Sequence, residues 1–182
     1  ELPDFSLRDL ELEKKYKNKN NKSFRNHYLV TDYSKELPEN NKTLKVKYLG
    51  ALDELIRFLN HLSKDIKVRI DFNNALTLSE ILYFWSSLKK TEMIDFLEDP
   101  FVFSQEDWDE LSKTGIPLAA DRNVFSTKNC KYKILKANRD DISLFDKKQL
   151  IFSSYMGHEI GIFHAYLQLI NHGDLNLSLI HI

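Results

Sequence analysis

The sequence predicts an α/β fold built on a parallel sheet. From His27 onward, short runs rich in β-branched and aromatic residues alternate with longer runs whose apolar residues recur every three or four positions. Strand, helix and strand repeated in this order give parallel strands joined by right-handed crossovers. Because no glycine-rich phosphate loop follows the first of the seven candidate strands, a partial (β/α) barrel of the TIM type is favoured over a doubly wound sheet.

Each element of this barrel has a candidate segment. The candidate strands are residues 27–31, 44–48, 67–71, 94–98, 117–121, 132–136 and 150–154. Between them, residues 51–64 and 77–90 have the apolar spacing of amphipathic helices. A further helix is expected at 6–17, before a polar turn. We therefore expect residues 1–22 to carry a terminal helix and residues 23–176 to carry the partial barrel.

Composition excludes several classes of protein. With 182 residues, 42% of them hydrophobic, and a net charge of -1, the chain can bury a core and has no overall attraction to nucleic acid or membrane. A single cysteine, Cys130, allows no disulfide framework. We expect a cytoplasmic protein with a small-molecule substrate and no nucleic-acid or membrane partner. The sequence does not determine the oligomeric state, and a monomer is favoured.

Both ends of the chain indicate that the sequence is incomplete. It begins at Glu1, without a methionine, inside an amphipathic pattern. At the other end, residues 177–182 (LSLIHI) look like a non-native tail. We expect no functional residue there.

Five consecutive candidate strands end in an ionisable residue: Lys47, Asp71, Glu98, Asp121 and Lys136. In a parallel barrel the carboxyl ends of all strands meet at one mouth, which is where this fold places its active sites. Three carboxylates on neighbouring strands are hard oxygen ligands of the kind that Mg²⁺ prefers. The pattern therefore predicts a Mg²⁺ site at the barrel mouth.

Each of these residues also has an ordinary structural explanation. An acidic residue after a strand is often the N-cap of the next helix, which suits Asp71. Glu98 precedes Asp99 and Pro100 and could belong to a simple turn. Lys136 could lie in solvent at a strand end. It is the coincidence of five such positions that favours a functional site.

Two lysines, Lys45 and Lys47, are two residues apart in the second candidate strand, so their side chains point to the same face. Buried amines close together resist protonation, and beside a divalent cation we expect lowered pKa values that make one of them a general base. The alternative is an exposed edge strand whose lysines discourage aggregation.

The motifs at these strand ends resemble the enolase superfamily, muconate-lactonizing subgroup. They are K-x-K on the second strand, D-x-N on the third, E-D-P on the fourth, an aspartate after the fifth and a lysine ending the sixth. Within that subgroup the chain is most similar to the o-succinylbenzoate synthase family of menaquinone biosynthesis, over residues 7–174. The similar segments are TLKVKYLG, VRIDFNN, FLEDPF, GIPLAADRN, KILKANRDD and IFSSYMGHEIG.

The resemblance implies a lyase that needs Mg²⁺. It implies that Asp71, Glu98 and Asp121 bind the metal, which holds the substrate carboxylate and stabilises an enediolate. The implied reaction is the syn dehydration of 2-succinyl-6-hydroxy-2,4-cyclohexadiene-1-carboxylate to o-succinylbenzoate. It also implies that residues 1–22 carry the terminal helix of the capping region, and that most of this capping region and the eighth strand lie outside this chain.

The resemblance also assigns roles to the other residues. Lys47 would remove the proton α to the carboxylate, Lys45 would adjust its pKa and touch the carboxylate, and Lys136 would face the intermediate from across the ring. Asn73 would be a polar residue of the substrate pocket. Two serines, Ser153 and Ser154, would support the binding of the succinyl carboxylate.

The chain departs from the family pattern in three places. Arg122 stands where a glutamate often follows the fifth-strand aspartate. Only 15 residues separate Asp121 from Lys136, near the lower limit of about 10 to 12 for a βαβ crossover. We therefore expect a shortened or irregular fifth helix, and a trimmed sixth helix at 140–149. After the seventh strand, the family has a serine-rich segment that contains a glutamate, and this chain has SSYMGHEIG there instead.

Two other functions fit the same residues. A racemase or epimerase of N-acylamino acids or dipeptides would use lysines on both faces of its substrate. A non-catalytic remnant would keep the fold and bind a metabolite or a partner.

Overall fold

The computed structural model describes residues 27–38, 42–136, 140, 149–153 and 176–177. Eight strands form one sheet in chain order, and every neighbouring pair is parallel. They are β1 Tyr28–Val30, β2 Thr43–Lys47, β3 Lys67–Asp71, β4 Ile94–Glu98, β5 Leu118–Ala120, β6 Tyr132–Lys136, β7 Leu150–Ser153 and β8 Asn176–Leu177. Within the described residues, β1 and β8 are the two edges of this sheet. The predicted partial TIM-type barrel is confirmed.

Three helices connect the first strands, and their starts follow from the sequence. They are α1 Leu52–His61, α2 Leu78–Ser87 and α3 Gln105–Lys113. The second begins with a capping box, in which the Thr77 hydroxyl accepts the Glu80 N–H at 3.3 Å and the Glu80 carboxylate accepts the Thr77 N–H at 2.8 Å. The third is capped by Ser104, the residue before it, whose hydroxyl accepts the Asp107 N–H. None of the described helices combines the length and the apolar character needed to span a membrane.

The crossover from β5 to β6 contains no helix. Residues 121–131 are all described, and they form only turns and bends. The sequence predicted a shortened or irregular fifth helix, and the connection goes further than that prediction, since it has no helix at all. The indole N–H of Trp108 on α3 donates to the Lys128 carbonyl at 3.0 Å, and Val124 and Cys130 are buried. The segment therefore packs against the body of the protein without helical structure.

The expectation that the eighth strand lies outside the chain is wrong. Asn176–Leu177 forms β8 and pairs with β7 in the register Ile151 to Asn176 and Phe152 to Leu177. A strand of two residues has no alternation of apolar and polar positions, so the sequence carries no periodic signal for it. Leu177, counted above in the non-native tail, is part of this strand.

Several predictions fall on parts of the chain outside the described residues. These are the helix expected at 6–17, most of the sixth helix expected at 140–149, and the segment that follows β7, with Ser154.

The strands bury two different apolar layers on their two faces. On the outer face, alternate residues such as Leu44, Val46 and Ile70 pack in one cluster with helix residues such as Leu55 and Phe84. On the inner face, a smaller cluster lies inside the barrel and consists of Phe96, Ala119, Ile134 and Ile151, with Tyr132 packed against it. The candidate site residues occupy the same inner face at the carboxyl ends of the strands.

Candidate active site

The structure brings the predicted charged residues to the carboxyl ends of consecutive strands. Lys47, Asp71 and Glu98 are the last residues of β2, β3 and β4, and they are register partners in the sheet. Asp121 follows directly after β5, and Lys136 ends β6. The backbone of the fold therefore places these five residues at the carboxyl ends of neighbouring strands, as the sequence predicted.

Lys45 is the centre of a buried ion-pair cluster. Its side chain is only 4% exposed, and its Nζ lies 2.7 Å from Glu98 Oε2 and 3.3 Å from Asp71 Oδ2. Burial alone lowers the pKa of Lys45, but the carboxylates of Glu98 and Asp71 outweigh it, and the net shift of the pKa is upward. The lowered pKa predicted for this lysine beside a divalent cation is not found in its present surroundings, because its strongest neighbours are acids.

The pKa of Glu98 in the same cluster is also raised, but from a different main cause. Burial is the main cause that raises the pKa of Glu98 to about 7, and the ammonium of Lys45 opposes it. The negative charges of Asp71 and Asp121 raise the pKa of Glu98 further. The three carboxylates thus lie close enough to repel one another, and an added cation among them would relieve that repulsion.

Lys136 neutralises the third carboxylate from the other side. Its Nζ lies 2.5 Å from Asp121 Oδ2, and both side chains are mostly buried. The main-chain N–H of Lys136 donates to Asp140 Oδ2 at 2.9 Å, and Asp140 is itself buried. This lysine is not a solvent-exposed strand end, which was the structural alternative for it.

Lys47 has different surroundings from the other two lysines. It is partly buried at the end of β2, and its carbonyl oxygen accepts a hydrogen bond of 2.8 Å from the Tyr33 hydroxyl. Within the described part of the chain, no ion pair involves the Lys47 ammonium, in contrast to Lys45 and Lys136.

The loop after β3 gives Asp71 and Asn73 roles of their own. The Asp71 carboxylate accepts the Asn73 N–H at 3.2 Å, while Thr77 caps α2. The alternative that Asp71 is the helix N-cap is therefore wrong. Asn73 is exposed at a positive φ of 53°, and its amide oxygen accepts a hydrogen bond from Arg122 Nη2. Ser153 is buried at the end of β7, next to Lys136 in the register.

Asp99 is a residue of this region to which the sequence assigned no role. Its buried carboxylate accepts the main-chain N–H groups of Asp121 at 3.0 Å and of Arg122 at 3.2 Å. Burial is the largest cause that raises the pKa of Asp99 to about 6, and the hydrogen bond from Asp121 opposes it. An aspartate between a candidate ligand and a proline was the only signal that the sequence offered.

The carboxylates fit a divalent cation by their chemistry more than by their present positions. They are hard oxygen donors on three consecutive strands, and they repel one another. In the described regions, no group of three or more histidine, cysteine, aspartate and glutamate side chains is placed to hold a metal ion. The Lys45 ammonium contacts the carboxylates of Glu98 and Asp71, and the Lys136 ammonium contacts that of Asp121.

The chain matches no protein-family model, and no curated protein matches it. Its fold does match solved structures. A mandelate racemase/muconate lactonizing enzyme from Bordetella bronchiseptica RB50 has a TM-score of 0.61 at 15% identity, over 76% of this chain and 46% of that one. An o-succinylbenzoate synthase from Thermosynechococcus elongatus BP-1, complexed with Mg, has a TM-score of 0.56 at 18% identity, over 77% and 52%. A dipeptide epimerase from Cytophaga hutchinsonii, complexed with Mg and the dipeptide D-Ala-L-Val, has a TM-score of 0.59 at 17% identity, over 88% and 53%.

The structural neighbours of this chain are enolase superfamily enzymes. At identities of 15 to 18%, this likeness shows the fold. The neighbours include racemases, a synthase and an epimerase, and no single one of these subgroups is singled out. The chain spans about half the length of these neighbours, 46 to 53%.

Proposed function

We propose that this chain forms the strand-end part of a Mg²⁺-dependent active site of the enolase superfamily, which removes the proton α to a substrate carboxylate. One observation carries the proposal. Asp71, Glu98, Asp121 and Lys136 lie at the carboxyl ends of four consecutive parallel strands, and Lys45 lies on the strand before them. Short ion pairs join Lys45 to Asp71 and Glu98, and Lys136 to Asp121. Buried charge clusters of this kind destabilise a fold relative to apolar packing, so they are retained where they serve chemistry.

Within this class, we propose the dehydration of 2-succinyl-6-hydroxy-2,4-cyclohexadiene-1-carboxylate to o-succinylbenzoate in the cytoplasm. The support is the similarity of six segments to that synthase family and the fold match to a synthase complexed with Mg. In this reaction the C–H bond α to the carboxylate breaks, the ring hydroxyl leaves as water after receiving a proton, and a C=C bond forms.

The lysines of the site have different surroundings, and we propose different roles for them. Lys47 is the proposed base, since it lies at the end of β2 and no described acidic residue forms an ion pair with it. Lys45 carries its charge and would donate hydrogen bonds to the substrate carboxylate. Lys136, on the far side of the carboxylates, would place a positive charge opposite the developing negative charge.

The three carboxylates of Asp71, Glu98 and Asp121 would hold the Mg²⁺. When bound, this ion would supply positive charge at the substrate carboxylate, where negative charge grows as the proton leaves. The pocket side chains Asn73, Ser153 and Ser154 are proposed to contact the remainder of the substrate.

The experiment is to measure product absorbance with the purified protein, the cyclohexadiene carboxylate and Mg²⁺. Lys47→Ala removes the base, and we expect the rate to fall by about 10² to 10⁴-fold while the circular dichroism spectrum stays unchanged. Lys42→Ala is the matched control, since Lys42 is exposed at the opposite end of the same strand. A Lys47→Ala protein that turns over at the wild-type rate would show that the base is another residue.

A second candidate is a racemase or epimerase of dipeptides or N-acylamino acids. The observation that favours it is the placement of Lys47 and Lys136 on β2 and β6, on either side of the carboxylates, together with the fold match to a dipeptide epimerase. Such an enzyme exchanges the α-hydrogen of its substrate with solvent deuterium, which mass spectrometry detects. If Mg²⁺ fails to raise the melting temperature of the folded protein, a non-catalytic remnant is favoured over both enzymes.

A further inference from the structure

The end of β5 is held by a side chain from the neighbouring strand. β5 ends at Ala120, so the sheet ladder stops one residue before the candidate ligand Asp121. The main-chain N–H of Asp121 donates to Asp99 Oδ1 at 3.0 Å, and the next N–H, from Arg122, donates to Asp99 Oδ2 at 3.2 Å. Both oxygens of one carboxylate therefore continue the hydrogen bonding that the strand itself has ended.

Asp99 is itself fixed to both neighbouring strand ends. Its N–H donates to the Ala119 carbonyl at 3.1 Å, and its own carbonyl accepts the Asn74 N–H at 2.8 Å. Its φ is 42°, although a residue before proline ordinarily adopts extended backbone. A non-glycine residue in this conformation costs energy and persists where its surroundings hold it. The conformation turns the Asp99 side chain back toward β5, the strand that carries Asp121.

The arrangement extends to a third strand end through Arg122. Its Nε lies 4.0 Å from Asp99 Oδ2, and its Nη2 donates to the amide oxygen of Asn73 in the loop after β3. Asp99 is 7% exposed and Arg122 is 53% exposed, so the carboxylate is the buried member of this pair. The ends of β3, β4 and β5, which carry the three candidate ligands, are thus connected through Asp99.

We infer that Asp99 is a positioning residue, which holds the main chain of Asp121 so that the Asp121 carboxylate lies beside Glu98 for a shared divalent cation. The inference rests on the proposed function, since it concerns the same cation. Asp99, the residue after the candidate ligand Glu98, thereby fixes Asp121, the candidate ligand on the next strand. Hydrogen-bond partners of this kind, outside the ligand set, commonly change metal affinity by about 10 to 100-fold.

The test compares the Mg²⁺ affinity of two aspartate variants by isothermal titration calorimetry. Asp99→Asn keeps the size of the side chain, but its amide N–H must face a main-chain N–H, so one of the two hydrogen bonds is lost. We expect the Mg²⁺ affinity of Asp99→Asn to fall by about 10 to 100-fold.

Asp95→Asn is the matched control, near the amino end of β4, which Asp99 follows. Asp95 is a partly buried carboxylate, and it pairs with Arg69 at 3.0 Å and Lys131 at 2.9 Å, away from the carboxyl ends of the strands. A merely structural role for Asp99 predicts that both variants lower the melting temperature and leave the affinity unchanged. We expect Asp95→Asn to lower the melting temperature and to leave the Mg²⁺ affinity within about twofold of the wild type, since it touches no candidate ligand.

The outcomes separate the two proposals. Wild-type protein that binds no Mg²⁺ overturns the proposed function and this inference with it. Wild-type protein that binds Mg²⁺ while Asp99→Asn binds it equally well overturns the inference alone. If Asp99→Asn does not fold, amide hydrogen exchange of the wild type decides: the Asp121 and Arg122 amides should be protected, and exchange as fast as that of exposed loop amides overturns the inference.

Discussion

The two faces of the central strands differ sharply, although their residues alternate along the same segments. On the outer face of β2, Leu44 and Val46 are fully buried in the apolar cluster under the helices. Between them, on the inner face, Lys45 is almost as deeply buried but pairs with two carboxylates. One strand thus takes part in two kinds of interior, one apolar and one ionic.

The two faces differ in how their interactions contribute to the stability of the fold. Apolar burial contributes roughly 25 cal/mol per Å² to stability and needs no partner of a particular charge. A buried ion pair must offset the desolvation of both groups, and it often adds nothing relative to apolar side chains of similar size. The outer face therefore supports the barrel, and the inner face is best explained by the chemistry proposed for it.

The largest effect is expected when the ionic face loses its central cation. Lys45→Met leaves the Glu98 and Asp71 carboxylates without their ammonium partner, which should lower the free energy of unfolding by about 3 to 5 kcal/mol. Urea denaturation without Mg²⁺ measures it. Adding Glu98→Gln in the same chain should recover part of the loss, because one buried negative charge is then gone. A double variant less stable than Lys45→Met would contradict the view that the uncompensated charge is the cause.

A matched change on the outer face should damage stability alone. Leu97 is fully buried in the apolar cluster, next to Glu98 in sequence. Leu97→Ala removes apolar contacts and leaves a cavity, for which we expect a loss of about 3 kcal/mol in urea denaturation. The Mg²⁺ affinity of the folded variant should stay at the wild-type value. A large loss of affinity would mean that the two faces are not independent.

A smaller effect is expected at the border between the faces. The Tyr33 hydroxyl donates to the Lys47 carbonyl at 2.8 Å, and its ring stacks on Phe58 at 5.2 Å. Tyr33→Phe keeps the ring, so the lost hydrogen bond should cost about 1 kcal/mol in denaturant unfolding. A loss of several kcal/mol would show that the hydroxyl does more than hold the end of β2.

The same tyrosine makes a prediction about pH. Burial is the main cause that raises the pKa of Tyr33 from 10.0 to about 12. Because the folded-state pKa is the higher one, this contribution to stability is complete below pH 10 and is lost as the pH rises toward 12. The difference between wild type and Tyr33→Phe in denaturant unfolding should therefore show this loss only in the wild type. Equal alkaline destabilisation of both proteins would rule out Tyr33 as its source.

The order of the strands and the charges at their ends could be read from the sequence. Each central strand carries enough apolar residues to be recognised, and a parallel sheet then places all the strand ends on one side. The sign of the Lys45 pKa shift could not be read, because it depends on distances of 2.7 and 3.3 Å to acids on two other strands. Those distances exist only after the chain has folded.

Asp99 escaped prediction for a related reason. Its partners are main-chain N–H groups 22 and 23 residues away. Because nearly every residue has the same main-chain N–H, the sequence does not show which of these groups Asp99 will bind. Its positive φ before Pro100 also runs against the ordinary preference of that position. The motif identified Glu98 as a candidate ligand, but it could not show that the next carboxylate turns toward β5.

The crossover between β5 and β6 shows that two features of a barrel can occur independently: the contact between neighbouring strand ends and the helix that covers the strands from outside. Lys136 reaches Asp121 at 2.5 Å across this connection, so the contact between the two strand ends does not depend on a helical coat at that point. A crossover without a helix on the outside of the barrel is thus compatible with close contact between the two strand ends that it joins. For the trimming of such a scaffold, residues 121–131 are an example of a crossover that connects parallel strands without a helix.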